Sequence, residues 1–153
     1  MHRAAWLATA ALVGVMVVAG VRQIRILGAE AGPERFPATH LCLDGAPSAW
    51  IFARRGCPHC RDHLRALQCS IATLPARERA LAVSRLRLVG GAEAPAGVRL
   101  FPDSLRTALG VRVTPTTWLV GPDGGVREAW RGARNERAWG RALGFLVGKA
   151  AGR

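Results

Sequence analysis

The segment Cys-Pro-His-Cys at residues 57–60 is the feature of this sequence that most restricts its fold. The apolar, aromatic-containing run before it, residues 48–54, predicts a buried strand. After it, apolar residues recur at alternating steps of three and four, which predicts an amphipathic helix. The stripe consists of Cys60, Leu64, Leu67, Ile71 and Leu74. The sequence therefore predicts a strand, a turn at Gly56 and a helix that begins at the cysteine pair.

The two cysteines differ in where this helix would place them. Pro58 suits the first helical position, because its missing N–H has no partner there. Cys57 would then occupy the helix N-terminus, and Cys60 would lie one turn in, on the core-facing stripe. Helix N-termini stabilise thiolates and can lower a cysteine pKa from ~8.5 to about 3.5–7.5. We interpret Cys57 as an attacking nucleophile and Cys60 as the resolving cysteine of a redox-active disulfide that needs no other cofactor.

The residues around the cysteines bear on the direction of electron transfer. Pro58 and His59 stand between the cysteines, and Arg54, Arg55 and Arg61 flank them. The imidazole and the fixed cations favour a thiolate and hence the reduced form, which makes the disulfide more oxidising. We therefore interpret Pro58 and His59 as modulators of the site.

The rest of the chain alternates between strand and helix patterns. We predict a helix at 76–84, a strand at 85–90, an extended segment at 98–101, a helix at 103–110, strands at 116–120 and 126–130, and a helix at 134–148. GPDGG at 121–125 is a tight-turn sequence that would join the last two strands. This order predicts an α/β sandwich. A chain of 153 residues, half of them hydrophobic, is large enough for one domain with its own core.

The N-terminal region predicts a membrane or export segment. Residues 4–21 carry no charge, and eighteen helical residues would span about 27 Å of the ~30 Å hydrocarbon core. Residues 1–21 are therefore either a signal anchor or a cleaved signal peptide. Residues 22–46, rich in glycine and proline, are interpreted as a linker, and residues 47–150 as the folded domain.

The formal charge of +12 is carried almost entirely by arginine. The arginines are scattered along the sequence, with no basic stripe that includes interleaved aromatic residues and no nucleic-acid motif. We interpret them as solvated surface charges and expect no nucleic-acid partner.

A second block of sequence points to a known superfamily. Thr114-Pro115 directly precedes a predicted strand, as in LRTALGVRVTPTTWLVGPDGGV, and SAWIFARRGCPHC contains the cysteine pair. Over residues 45–148 the chain resembles the thioredoxin superfamily, and its second half resembles the membrane-tethered TlpA/ResA group. Pro58-His59 matches the dipeptide of DsbA, but only 54 residues separate Cys60 from Pro115, too few for the helical insertion of DsbA.

This resemblance implies a thioredoxin-like three-layer α/β/α sandwich with a mixed sheet. It implies a thiol–disulfide oxidoreductase acting on protein thiols or disulfides, with Thr114 and a cis-Pro115 lining the substrate groove. The expected location is the bacterial inner membrane with the domain in the periplasm, or the periplasm if residues 1–21 are cleaved, and a membrane redox partner would recycle the pair. Oxidation, isomerisation and reduction all remain open. Ile51 stands where the family carries a buried acid, so that residue's proton-transfer role is not carried over.

The remaining cysteines and histidines allow two further hypotheses. Cys69 lies nine residues after Cys60, on the opposite helix face, and Cys42 precedes the first strand. In an oxidising compartment they would form a structural disulfide, the alternative being two separate thiols. His59 and His63 are four residues apart beside the cysteine pair, which leaves a copper-binding maturation chaperone as the alternative function. Four ligands from two helical turns fit a tetrahedral ion poorly, so we assign no metal site.

Overall fold

The computed structural model describes residue 36 and residues 45–149. The described residues belong to one compact unit. The elements are β1 (Ser48–Phe52), α1 (Pro58–Ala72), α2 (Ala76–Ser84), β2 (Leu86–Val89), β3 (Arg99–Phe101), α3 (Asp103–Ala108), β4 (Thr116–Val120), β5 (Val126–Arg131) and α4 (Glu136–Leu146). The predicted membrane or signal helix lies outside the described residues. No helix among those described is long and apolar enough to cross a bilayer.

The five strands form one mixed sheet in the order β3-β2-β1-β4-β5. β1 pairs in parallel with β2, and β2 with β3, whereas β4 runs antiparallel to β1 and to β5. The GPDGG turn joins β4 to β5, as the sequence predicted. β1 lies at the centre of the sheet, and all five of its residues are buried. The chain that leaves β1 therefore places the cysteine pair beyond the C-terminal end of the central strand.

Alternate residues of the strands contribute to two hydrophobic cores on opposite faces of the sheet. Ala49 and Ile51 of β1 pack with the apolar stripes of α1 and α4. Trp50 and Phe52 point the other way and pack with Trp118 and the residues around α3. Helices thus cover both faces, which is the predicted three-layer sandwich.

Phe36 belongs to the second of these cores, although the sequence placed it in the linker. Its side chain is buried, with its ring centroid 4.4 Å from that of Trp50 and 5.9 Å from that of Trp118. Its amide N–H donates to the carbonyl oxygen of Gly124 at 3.0 Å. At least this part of residues 22–46 therefore contributes to the folded domain.

Gly90 ends β2 beneath the loop that leads to the cysteines. Its φ of +116° is one that residues with a side chain rarely adopt. A Cβ at this position would lie 1.9 Å from the carbonyl oxygen of Ala53. Because Ala53 also donates its N–H to the carbonyl oxygen of Val89, the ends of β1 and β2 approach each other too closely for any side chain.

Candidate functional site

The cysteine pair occupies the N-terminus of α1, as predicted. Cys57 is the N-cap residue, Pro58 is the first helical residue, and Cys57 and Cys60 form a disulfide with their Cα atoms 5.2 Å apart. The amide N–H of Cys60 donates to Cys57 Sγ at 3.2 Å. This bond uses one of the amides left without a partner at the start of the helix. A negative charge on Cys57 Sγ would therefore find a donor already in place.

The two sulfurs differ sharply in their access to solvent. Cys57 is half-buried, whereas Cys60 is 1% exposed and packs within the apolar stripe of α1. Pro58 and His59, between them, are both exposed. An incoming sulfur can therefore reach Cys57 and not Cys60, which is the asymmetry that the helical stripe predicted.

The Thr114-Pro115 segment lies against the cysteine pair. The peptide bond between these residues is cis, and the carbonyl oxygen of Thr114 is 4.0 Å from Cys57 Sγ. Two hydrogen bonds fix the segment: Thr116 Oγ1 donates to the carbonyl oxygen of Val113 at 2.8 Å, and the Gly132 N–H donates to that of Pro115 at 2.8 Å. The structure thus brings Thr114 close to Cys57, although the two are 57 residues apart in the sequence. The role of Thr114 and Pro115 in substrate binding remains a prediction.

His63 is buried in the core and does not extend the cysteine site. Its Nε2 lies 2.9 Å from Thr117 Oγ1, and its Nδ1 accepts the amide N–H of Arg134 at 3.0 Å. Its carbonyl oxygen accepts the indole N–H of Trp139 at 3.2 Å. Because Nδ1 is an acceptor, the neutral ring must carry its hydrogen on Nε2 and donate it to Thr117.

This environment keeps the imidazole neutral. Burial, reinforced by the positive charge of Arg134, lowers the pKa of His63 from 6.5 to about 4. The grouping of His63 with His59 beside the cysteines is therefore corrected: His59 is exposed, whereas both ring nitrogens of His63 are engaged. Within residues 45–149, no group of three histidine, cysteine or carboxylate side chains is placed to hold a metal ion.

Ile51 is part of the α1-facing core and faces Thr117 across the β1–β4 ladder. Thr117 and the side chain at position 51, where thioredoxins carry a buried acid, thus lie on the same face of the sheet. His63 cannot take up the proton of Cys60 without giving up a hydrogen bond, since both of its nitrogens are used.

A cleft of about 470 Å³ opens beside Cys57. Its polar lining includes the side chains of Arg54, Arg55, Arg61, Arg65 and Glu93. We call this feature the arginine cleft. The sequence indicated that Arg54, Arg55 and Arg61 would lie near the cysteines, but the arginines as a whole were interpreted as scattered. Arg65 joins them because it follows Arg61 by one helical turn on the exposed face of α1.

Cys69 lies on the exposed face of α1, opposite the stripe that holds Cys60, as predicted from the helical spacing. It is a free cysteine in the structure. Its predicted partner, Cys42, lies outside the described residues, so the Cys42–Cys69 disulfide stays a prediction.

Sequence reasoning missed the Thr117–His63 pair and the joining of Arg65 to the cleft. The only local signal for the first was a histidine on the apolar side of a helix, three residues after a stripe position. A histidine there is consistent with several roles, and its partners come from two distant segments of the chain.

Comparison with known proteins supports the fold. No protein-family model matches this chain. No curated protein matches it significantly. Among solved structures, it is similar to DsbF of Mycobacterium tuberculosis in mixed oxidised and reduced forms, with a TM-score of 0.50 and 18% identity over 67% of this chain and 81% of DsbF.

Two further structures align with lower scores. A thioredoxin-like superfamily protein gives a TM-score of 0.49 and 19% identity over 72% of this chain and 85% of that protein. A secreted disulfide oxidoreductase of Mycobacterium tuberculosis, homologous to DsbE of E. coli, gives 0.47 and 16% over 65% and 81%. With the mixed five-stranded sheet and the cysteine pair at a helix start, the similarity to DsbF identifies a thioredoxin-like α/β fold.

Proposed function

We propose that this protein is a thiol–disulfide oxidoreductase of the bacterial envelope that exchanges disulfides with protein substrates through Cys57 and Cys60. The observation that carries the proposal is the disulfide at the N-terminus of α1, with one accessible and one buried sulfur. A helix N-terminus supports thiolate chemistry at its accessible sulfur, and the buried sulfur is held within reach to complete the exchange.

In the oxidising direction, a substrate thiolate attacks Cys57 Sγ. A mixed disulfide forms between the substrate and Cys57, and the Cys57–Cys60 bond breaks with the electron pair going to Cys60, which takes a proton from solvent. A second substrate thiolate then attacks the substrate sulfur of the mixed disulfide and expels Cys57 as a thiolate. The substrate loses two electrons and gains a disulfide, and the protein ends as a dithiol.

In the reducing direction the same steps run in reverse, with Cys57 attacking a substrate disulfide and Cys60 resolving the intermediate. Backbone groups beside Pro115 would hold the substrate extended, in the manner of an added strand. A membrane protein with its own dithiol or disulfide would restore the starting state. The uncharged segment at residues 4–21 supports attachment to a membrane. The Cys57–Cys60 disulfide supports placing the domain in an oxidising compartment, the periplasm.

The proposal is tested by disulfide exchange between the full chain and insulin or a model peptide. Cys57→Ser should abolish exchange, because the only accessible sulfur of the pair is removed. Cys69→Ser is the matched control: it removes an exposed cysteine on the opposite face of the same helix and should retain the wild-type rate. Wild-type exchange by Cys57→Ser would exclude the proposed chemistry.

A further inference from the structure

The lining of the arginine cleft carries more positive than negative side chains. Its lining contains four guanidinium groups and a single carboxylate, that of Glu93. Arg55 Nε donates to the carbonyl oxygen of Gly91 at 3.3 Å, which is a neutral partner. The ion pairs found among residues 45–149 lie elsewhere, at Arg106–Asp103, Arg127–Asp123 and Lys149–Glu78.

Two of the cations lie on one face of α1. Arg61 and Arg65 are both exposed and are separated by one helical turn. Like charges at this spacing repel each other and destabilise a helix. No described carboxylate forms an ion pair with either of them. An anion bound from outside would relieve the repulsion between them.

The dimensions of the cleft indicate a chain rather than a single small group. Its lining extends along α1 from Cys57 to Gln68, and eleven helical steps of ~1.5 Å give about 16 Å. An extended peptide rises ~3.3 Å per residue, so this length accommodates about five residues. One end of the cleft is the accessible sulfur, so a bound segment would lie next to the cysteine that reacts.

We infer that the arginine cleft binds an acidic polypeptide segment adjoining the reactive cysteine of the substrate. This inference rests on the proposed function and adds a preference for acidic substrates to it. Carboxylates along the segment would pair with Arg61 and Arg65, and the same positive field would accelerate encounter with acidic substrates. The substrate class is therefore acidic proteins, or proteins with acidic residues beside a cysteine.

The test uses three short disulfide-containing peptides that differ only in having glutamate, glutamine or lysine beside the cysteine. The full chain should exchange with the glutamate peptide on the order of tenfold faster than with the glutamine peptide at low salt, and slowest with the lysine peptide. This preference should decline as the salt concentration rises from about 0.01 to 0.15 M, because the Debye length shortens from about 30 to 8 Å.

Double substitutions of arginine by glutamine identify which residues cause the preference for the glutamate peptide. The double variant R61Q/R65Q should lose most of the preference for the glutamate peptide over the glutamine peptide. R137Q/R141Q is the matched control, because Arg137 and Arg141 are also exposed and one turn apart, but on α4 and outside the cleft. It should keep the preference. Since each preference is a ratio within one variant, a change in the reactivity of Cys57 cancels.

The outcomes separate the inference from the function on which it rests. Equal wild-type rates with all three peptides would overturn the inference and leave the oxidoreductase proposal standing. Equal losses of preference in R61Q/R65Q and R137Q/R141Q would also overturn it, since only total charge would then matter. Absence of exchange with every peptide would instead count against the proposed function itself.

Discussion

His63 Nε2 and Thr117 Oγ1 lie 2.9 Å apart in the core, joining the helix that carries the cysteines to the strand that follows the cis-proline. The other ring nitrogen accepts the Arg134 amide N–H, so one imidazole links three segments. The pair lies behind Cys60, on the same helix face and one turn further in. It fixes the position of α1 relative to β4, and so of Cys57 relative to Thr114.

The low pKa of His63 makes stability depend on pH. The folded state holds the pKa at about 4 against 6.5 for the unfolded chain. The unfolded chain therefore binds a proton first, and stability falls as the pH drops from above 6.5 to about 4. The loss should reach about 3 kcal/mol, at ~1.4 kcal/mol per pKa unit. Urea unfolding of the full chain at pH values from 7 to 4.5 measures it.

The contribution of His63 is isolated by substitution. His63→Gln should destabilise the protein at pH 7 and flatten the pH dependence. His59→Gln, which changes an exposed histidine of the same helix, should keep the steep fall. An unchanged slope in His63→Gln would refute the assignment. The pKa values of Asp103 and Asp123 are lowered by Arg106 and by the Gly125 amide respectively. Titration of these two carboxyl groups therefore changes stability at lower pH than this range.

The unequal access of the two sulfurs predicts a trapping variant. Cys60→Ser should accumulate a mixed disulfide with substrate at Cys57, because the resolving thiol is missing. Non-reducing gel electrophoresis with a peptide disulfide would show the adduct, and mass spectrometry would locate it. Cys57→Ser should form no adduct at Cys60, since Cys60 is 1% exposed. An adduct at Cys60 of Cys57→Ser as abundant as the adduct at Cys57 of Cys60→Ser would contradict the assigned roles.

The surroundings of Cys57 predict an oxidising potential. The Cys60 amide N–H and the arginine cleft stabilise a thiolate at Cys57 and therefore the reduced form. We expect a reduction potential closer to the ~−120 mV of DsbA than to the ~−270 mV of thioredoxin. Equilibration of the full chain with glutathione buffers measures it. R61Q/R65Q should be more reducing than wild type, and a wild-type value at or below that of thioredoxin would favour a reductase.

The close approach at Gly90 predicts an unusually costly alanine substitution. Gly90→Ala places a Cβ 1.9 Å from a backbone oxygen, so the ends of β1 and β2 must separate. The expected loss exceeds about 3 kcal/mol. Gly110→Ala is the control, since Gly110 also has a positive φ, of +69°, but open space around it. It should cost only about 1–2 kcal/mol. Chemical denaturation compares the two, and similar losses would rule out the steric explanation.

Periodic patterns, together with turn and helix-end residues, were sufficient to predict the elements and their order along the chain. The stripe of Cys60, Leu64, Leu67 and Ile71 is buried as expected. The strand patterns at β1, β4 and β5 correspond to the strands observed, with ends that differ by two residues at most. These features are local, because each depends on residues within one or two turns or within one strand.

Features that depend on distant residues were not predictable from the sequence. The state of His63 depends on Thr117 and Arg134, which are 54 and 71 residues away. The burial of Phe36 depends on Trp50 and Trp118. Glycine and proline around Phe36 indicated a linker, and tertiary packing outweighed that indication.

The separation between Thr114 and Cys57 has a consequence for biosynthesis. All four cysteines lie within the first 69 residues, so a nascent chain contains every sulfur before Thr114 has been made. During that interval, neither the buried position of Cys60 nor the cis-proline segment exists to distinguish the sulfurs. Choice of the correct pair then depends on chain proximity, which favours Cys57 and Cys60 because only two residues separate them. The short spacing thus favours the Cys57–Cys60 pair before the folded domain can distinguish the cysteines.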